Sequence, residues 1–137
     1  MPYLSFKKIW SDVAFISVRI TAENETMRCS GEFYVQKEDL KALHDILVVP
    51  SGAILFGKIR ECSSQKVIHC CNIKAMQATL GKINIEIEMK IDPNNGSFYS
   101  AKFDLNYAIE SSMVDDFLPR LDKFYDSNVE TEIKLGF

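Results

Sequence analysis

The sequence holds little of what active sites are usually built from. Two histidines occur, His44 and His69, and one tryptophan. No G-x-G-x-x-G segment and no complete G-x-x-x-x-G-K-[ST] segment occurs, so a nucleotide-binding loop has no motif behind it. No run of lysine or arginine exceeds Lys7-Lys8, and the net charge is −3 with a pI near 5.4. Phosphate binding needs a field of basic side chains, which argues against nucleic acid as a partner. No apolar run reaches the roughly 18 residues that cross a bilayer. The start, MPYLSFKKIW, lacks the long apolar stretch of a signal peptide. A cytoplasmic protein without a membrane partner is therefore expected.

What is present suits one folded domain spanning residues 1–137. The chain is 47% hydrophobic, within the globular range. A chain of this length buries enough surface for a core without staples. The four cysteines, Cys29, Cys62, Cys70 and Cys71, read as buried small hydrophobes in a reducing compartment.

Hydrophobic periodicity gives the order of elements. Val13–Thr21 alternates late through Ile16, Val18 and Ile20. Met27–Gln36 alternates through Cys29, Gly31, Phe33 and Val35. Glu23-Asn24-Glu25 is a turn between them, so the two form a hairpin. Leu40, Leu43, Ile46 and Leu47 then repeat at helical spacing. Glu38 and Asp39 suit that helix's first turn, and Pro50-Ser51-Gly52 stops it. Ala53–Ile59 and Lys66–Met76 read as strands joined by a loop, Arg60–Gln65. Two more strands run between Lys82 and Ile109, with Asn94-Asn95-Gly96 as the hairpin signal between them.

A last helix starts near Ser112, with Asp115 at capping-box spacing. It carries Val114, Phe117, Leu118, Leu121, Phe124 and Tyr125 on one face. Pro119 is predicted to kink or split it. Val129–Leu135 alternates weakly, in the manner of an edge strand. Phe6 and Trp10 fit either one end of the core or an interface. The order ββ-α-ββββ-α predicts an α+β domain: about six mainly antiparallel strands in one twisted sheet, with the helices on one face.

The other face of that sheet meets water. Asn84, Glu86, Glu88 and Lys90 would line it on one strand, and Ser100, Lys102, Asp104 and Asn106 on the next. Chemistry is sparse elsewhere. His44 reads as a helix-flank histidine. Cys62, His69, Cys70 and Cys71 form C-x6-H-C-C. His69 and Cys71 would share a strand face, but no spacing supplies the further ligands of a zinc site, so no metal or cofactor is expected. A Cys/His nucleophile needs a thiolate activated by a base in a cleft, and no local context marks one. Glu86 with Glu88, or Asp115 with Asp116, would suit acid–base work. They suit a wetted strand face and a helix N-terminus better, and an enzyme is not expected. The aromatics, among them Phe33, Tyr99, Phe103 and Tyr107, fall on apolar phases, as core packing requires.

The early hairpin followed by YVQKEDLKALHDIL, the pair GKINIEIEMKID and GSFYSAKFDLNY, and the closing MVDDFLPRLDKFYD carry a family likeness. In this order they resemble the small immunity proteins that protect bacteria from contact-dependent and wall-associated toxins, in particular the WapI-type group. The resemblance runs from about Phe15 to Asp126. Pro119 departs from the uninterrupted last helix of that group, and the Cys62–Cys71 segment has no counterpart there. The resemblance implies a binder without chemistry that blocks a cognate toxin, often a nuclease, by covering its active site or a neighbouring surface.

Nuclease toxins tend to be basic, and an acidic patch on the inhibitor speeds association. Glu86, Glu88 and Asp104 are the first candidates for that contact. Glu110, Asp115 and Asp116 are the second. The alternative class is an acidic secretion chaperone binding an effector protein. Such chaperones are usually dimeric and open on a helix, where this sequence has a strand-like pattern. The sequence leaves the oligomeric state open, with a monomer the simpler expectation.

Overall fold

A computed structural model describes residues 2–62, 65–91 and 101–136, with the side chains of 58–62, 65–68 and 101–103 outside the description. The elements are β1 (Tyr3–Ser11), β2 (Ile16–Glu23), β3 (Arg28–Val35), α1 (Lys37–Val48), β4 (Ser51–Cys62), β5 (Gln65–Gln77), β6 (Lys82–Ile91), β7 (Ala101–Glu110), α2 (Ser111–Phe124) and β8 (Glu132–Gly136). The expected α+β class holds, with eight strands rather than about six. They form two antiparallel four-stranded sheets, ordered β3-β2-β1-β8 and β4-β5-β6-β7, in place of the single sheet expected.

The first sheet exists because the hairpin β2–β3 finds two further partners. β1 pairs with β2 on one side and β8 on the other, setting Phe6 against Ile20 and Ile133. The weakly alternating tail is thus an edge strand. β4 continues past the predicted loop at Arg60, and Cys62 pairs with Gln65. The predicted Asn94-Asn95-Gly96 turn lies outside the described residues.

Inward residues of both sheets and both helices make one core. Phe6 lies near its centre. Its ring centroid is 6.2 Å from Phe56 of β4, 6.1 Å from Phe117 and 6.5 Å from Phe124 of α2. Leu40, Leu43 and Leu47 face this core from α1, as their spacing requires. The Asp39 carboxylate accepts the Gln36 N–H at 2.9 Å and closes the helix start.

Helix α2 differs from expectation at two points. It starts at Ser111 without a side-chain cap, so the Ser112/Asp115 capping box does not form. The turn before β6 holds the helix start instead: the Ser111 N–H donates to Gly81 O at 2.9 Å. The helix also runs through Pro119 without splitting. Pro119 is exposed, so the carbonyl deprived of its intrahelical donor lies on the wet side.

The other end of α2 is held by Lys8, which is buried on the core side of β1. Its ammonium donates to Tyr125 O at 2.7 Å and Ser127 O at 2.6 Å. A buried cation needs such partners, and the C-terminal end of a helix favours positive charge. A bulge between Lys8 and Trp10 then shifts β1's register. Trp10 turns outward, 46% exposed, into an aromatic run with Phe15 and Tyr34 at centroid steps of 5.6 and 4.8 Å.

Candidate protein-binding face

Strand register decides which outward side chains meet. In the second sheet one row reads Leu55, Asn72, Glu88, Asp104 across β4, β5, β6 and β7. The next row reads Ala53, Lys74, Glu86, Asn106, and the one beyond it Ser51, Met76, Asn84, Ala108. Neighbouring strands lie ~4.8 Å apart, so Leu55 and Asp104 are roughly 14 Å apart across the sheet. Their partners on the inner side, such as Ile73, Ile85 and Ile87, are fully buried, which fixes the register and leaves this outer face to solvent.

The three first-choice residues, Glu86, Glu88 and Asp104, share this face. They line a shallow depression of about 240 Å³ with Asn72, Lys74 and Asn106. Glu110 stands on the same face at the end of β7, opposite Lys82. Asp115 and Asp116 are exposed on α2 and belong to the helix surface, away from the strand rows.

Electrostatically the face is mixed rather than uniformly acidic. Lys74 sits opposite Glu86 and Lys82 opposite Glu110. Lys90 Nζ is 3.5 Å from Glu88 Oε1. Glu88 and Asp104 are two carboxylates directly opposite in register, and the adjoining row sets Lys90 opposite Lys102, so acids and bases alternate from row to row. The same face also exposes two large apolar side chains, Leu55 and Met76, each at 45%. The sequence contained a signal for Leu55: it alternates with Ile54 and Phe56, so one of the two phases had to face out. Its nearness to the carboxylates depends on cross-strand register.

The other candidates for chemistry are engaged structurally. His44 Nδ1 lies 2.8 Å from Asp122 Oδ1 and ties α1 to α2 beside a groove of about 520 Å³. The nitrogen is buried and off the line of a well-formed hydrogen bond, so the contact acts through charge when the ring is protonated. His69 Nε2 meets Glu32 O at 2.7 Å, and its ring stacks on Phe33 at 4.7 Å, joining β5 to β3.

Burial pushes the Cys29 thiol up to about 11 and also raises Cys71, opposite to the activation a nucleophile needs. The Cys62 side chain lies outside the described residues. Among those described, no three His, Cys, Asp or Glu gather as metal ligands. The run GAILFGK, Gly52–Lys58, has the glycine and lysine spacing of a phosphate loop, but Ile59 follows it and it lies within β4, paired with β5 throughout. Gly57 has φ +98, and a Cβ there would meet His69 O at 2.4 Å, so strand packing accounts for this glycine.

No helix among the described residues is long and apolar enough to cross a membrane. No known protein family, curated protein or solved structure matches this chain.

Proposed function

We propose that the protein is a cytoplasmic immunity protein that neutralises a cognate toxin by stoichiometric binding through the outer face of β4–β7. One observation carries this proposal. A sheet face left to solvent groups Glu86, Glu88 and Asp104 around one shallow depression. Carboxylates grouped in this way steer a cationic partner toward the face. The partner suited to it is a basic domain, and a nuclease is basic because its substrate is anionic. The resemblance of the strand pair and last helix to WapI-type immunity proteins points the same way.

The test is capture. The tagged protein is immobilised, native lysate is passed over it, and bound proteins are identified by mass spectrometry. A single partner carrying the C-terminal region of a large secreted protein is the expected result. Reversing charge at Glu86 and Glu88 should weaken that complex while leaving the unfolding transition in place. Unchanged affinity would remove this face from the proposal. A set of secretion substrates, with a dimer in light scattering, would favour the acidic chaperone instead.

A further inference from the structure

We infer that the edge of β7 takes an extended segment of a partner protein as an added strand, recognised through its main chain. The inference goes beyond the binding role proposed above and stands on backbone geometry alone. Among the described strands, β3 and β8 edge the first sheet, and β4 and β7 the second. An edge strand is a template for another chain unless something blunts it. Three of these edges are blunted. The Glu32 carbonyl of β3 meets His69 Nε2 at 2.7 Å. β8 has only five residues. β4 lies beside α1 and β3, and Gly57 with φ +98 interrupts it. β7 has ten residues, no proline and no register shift against β6, and its stretch Leu105–Ile109 carries no charge.

The ladder decides which groups face that edge. The Ser111 N–H donates to Gly81 O at 2.9 Å, one step beyond the last β6–β7 pair. Bonded and non-bonded pairs alternate in an antiparallel ladder. Counted back from Ser111, the backbones of Ile109, Tyr107 and Leu105 bond to β6, and those of Ala108 and Asn106 turn their N–H and C=O away from it. Lys82 agrees with this count, because its N–H donates to Thr79 O at 3.0 Å and not to Glu110. Among the described residues, nothing else takes up the Asn106 and Ala108 backbone groups. Beside them is a notch of about 360 Å³, shared with Pro2 and with Asn24, Glu25 and Thr26 of the β2–β3 turn. An antiparallel strand added here sets its polar residues beside Asn106 and Ala108. Its apolar residues then continue the buried side of Leu105, Tyr107 and Ile109. The segment recognised is therefore extended and alternating, held by main-chain bonds. A second copy of this chain fits less well. Pairing β7 with its own copy about a two-fold axis keeps both inner faces on one side and brings two β2–β3 turns to the same place.

The probe is a fluorescein-labelled peptide with the β6 sequence, KINIEIEMKI, which alternates and already pairs with β7 in the fold. Binding is followed by fluorescence anisotropy. In the added strand the N–H groups of its polar residues point at β7, and those of its isoleucines point away. N-methylation at the polar residues should weaken binding at least about tenfold, whereas N-methylation at the isoleucines should leave it unchanged. Hydrogen exchange gives a second readout. In the free protein the Asn106 and Ala108 amides should exchange faster than that of Tyr107, and the peptide should slow them. Asn106→Pro removes an edge donor but no ladder bond, so it should abolish peptide binding and keep the urea midpoint. Should that variant fail to fold, the exchange comparison decides. Asn106 and Ala108 amides as protected as Tyr107 in the free protein, binding indifferent to which amides are methylated, or no binding at all would overturn the inference and leave the outer-face reading to its own test. A dimer in light scattering that Asn106→Pro abolishes would overturn it in favour of a second copy.

Discussion

The two sheets present different outer faces to water. On the first, neighbours satisfy one another. Arg19 Nη2 meets Glu32 Oε1 at 2.8 Å, and Lys7 Nζ meets Glu130 Oε2 at 3.0 Å. Thr21 and Ser30 hydroxyls lie 3.0 Å apart, and the Lys134 ammonium sits 4.2 Å from the Tyr3 ring centroid. The second face has opposed pairs too, Lys74 with Glu86 and Lys82 with Glu110, but gathers three carboxylates, Glu86, Glu88 and Asp104, around one depression; both faces expose large apolar side chains, Trp10 and Tyr34 on the first and Leu55 and Met76 on the second. The two faces differ in where their acids gather, spread among partners on the first and clustered on the second.

The widest break in this comparison would be to show that the sheets are separate units. Phe6 of the first sheet touches Phe56 of the second. Phe6→Ala should therefore cost ~3–5 kcal/mol and lower both sheets together, in one denaturant transition. Two resolved transitions would mean that each sheet stands alone. Lys8→Met should be the next largest change. It leaves the carbonyls of Tyr125 and Ser127 without their donor, at a cost of about 1–3 kcal/mol in the urea midpoint.

Smaller substitutions sharpen the contrast. Arg19→Ala removes an attraction between two half-exposed groups and should lower stability by about 0.5 kcal/mol or less, read from the urea midpoint. Leu55→Ser exchanges a half-exposed side chain on the second face and should stay within about 0.5 kcal/mol by the same measurement. A larger loss from Leu55→Ser would mean that the fold itself depends on that side chain.

Much of this was legible because burial imposes a period. The β6 and β7 runs alternate cleanly, so their inward isoleucines and outward acids could be read directly, and Glu86, Glu88 and Asp104 fell on one face as alternation requires. Both helices announced their stripes. What escaped has three physical causes. β1 places Lys8 at a core position and then bulges, which breaks the period that marks a strand. The division into two sheets depends on pairing β1 with β8, a contact between opposite ends of the chain that no local pattern encodes. Lys74 and the apolar neighbours of the acidic row come from β4 and β5, so only register places them, whereas Lys90 and Lys102 alternate onto the face with the acids themselves.

The pairing of β1 with β8 also has a mechanical side. Tyr3 lies against Gly136, and the ladder runs inward from there to Lys7 and Glu132. A force pulling those two residues apart would load one hydrogen-bonded rung at a time, as a zipper opens, rather than shearing all rungs together. Resistance would rise beyond the last rung, where Lys8 grips the end of α2 and its backbone carbonyl accepts the Glu130 N–H. The molecule would be compliant when drawn from this edge and stiff when drawn along the long strands of its second sheet.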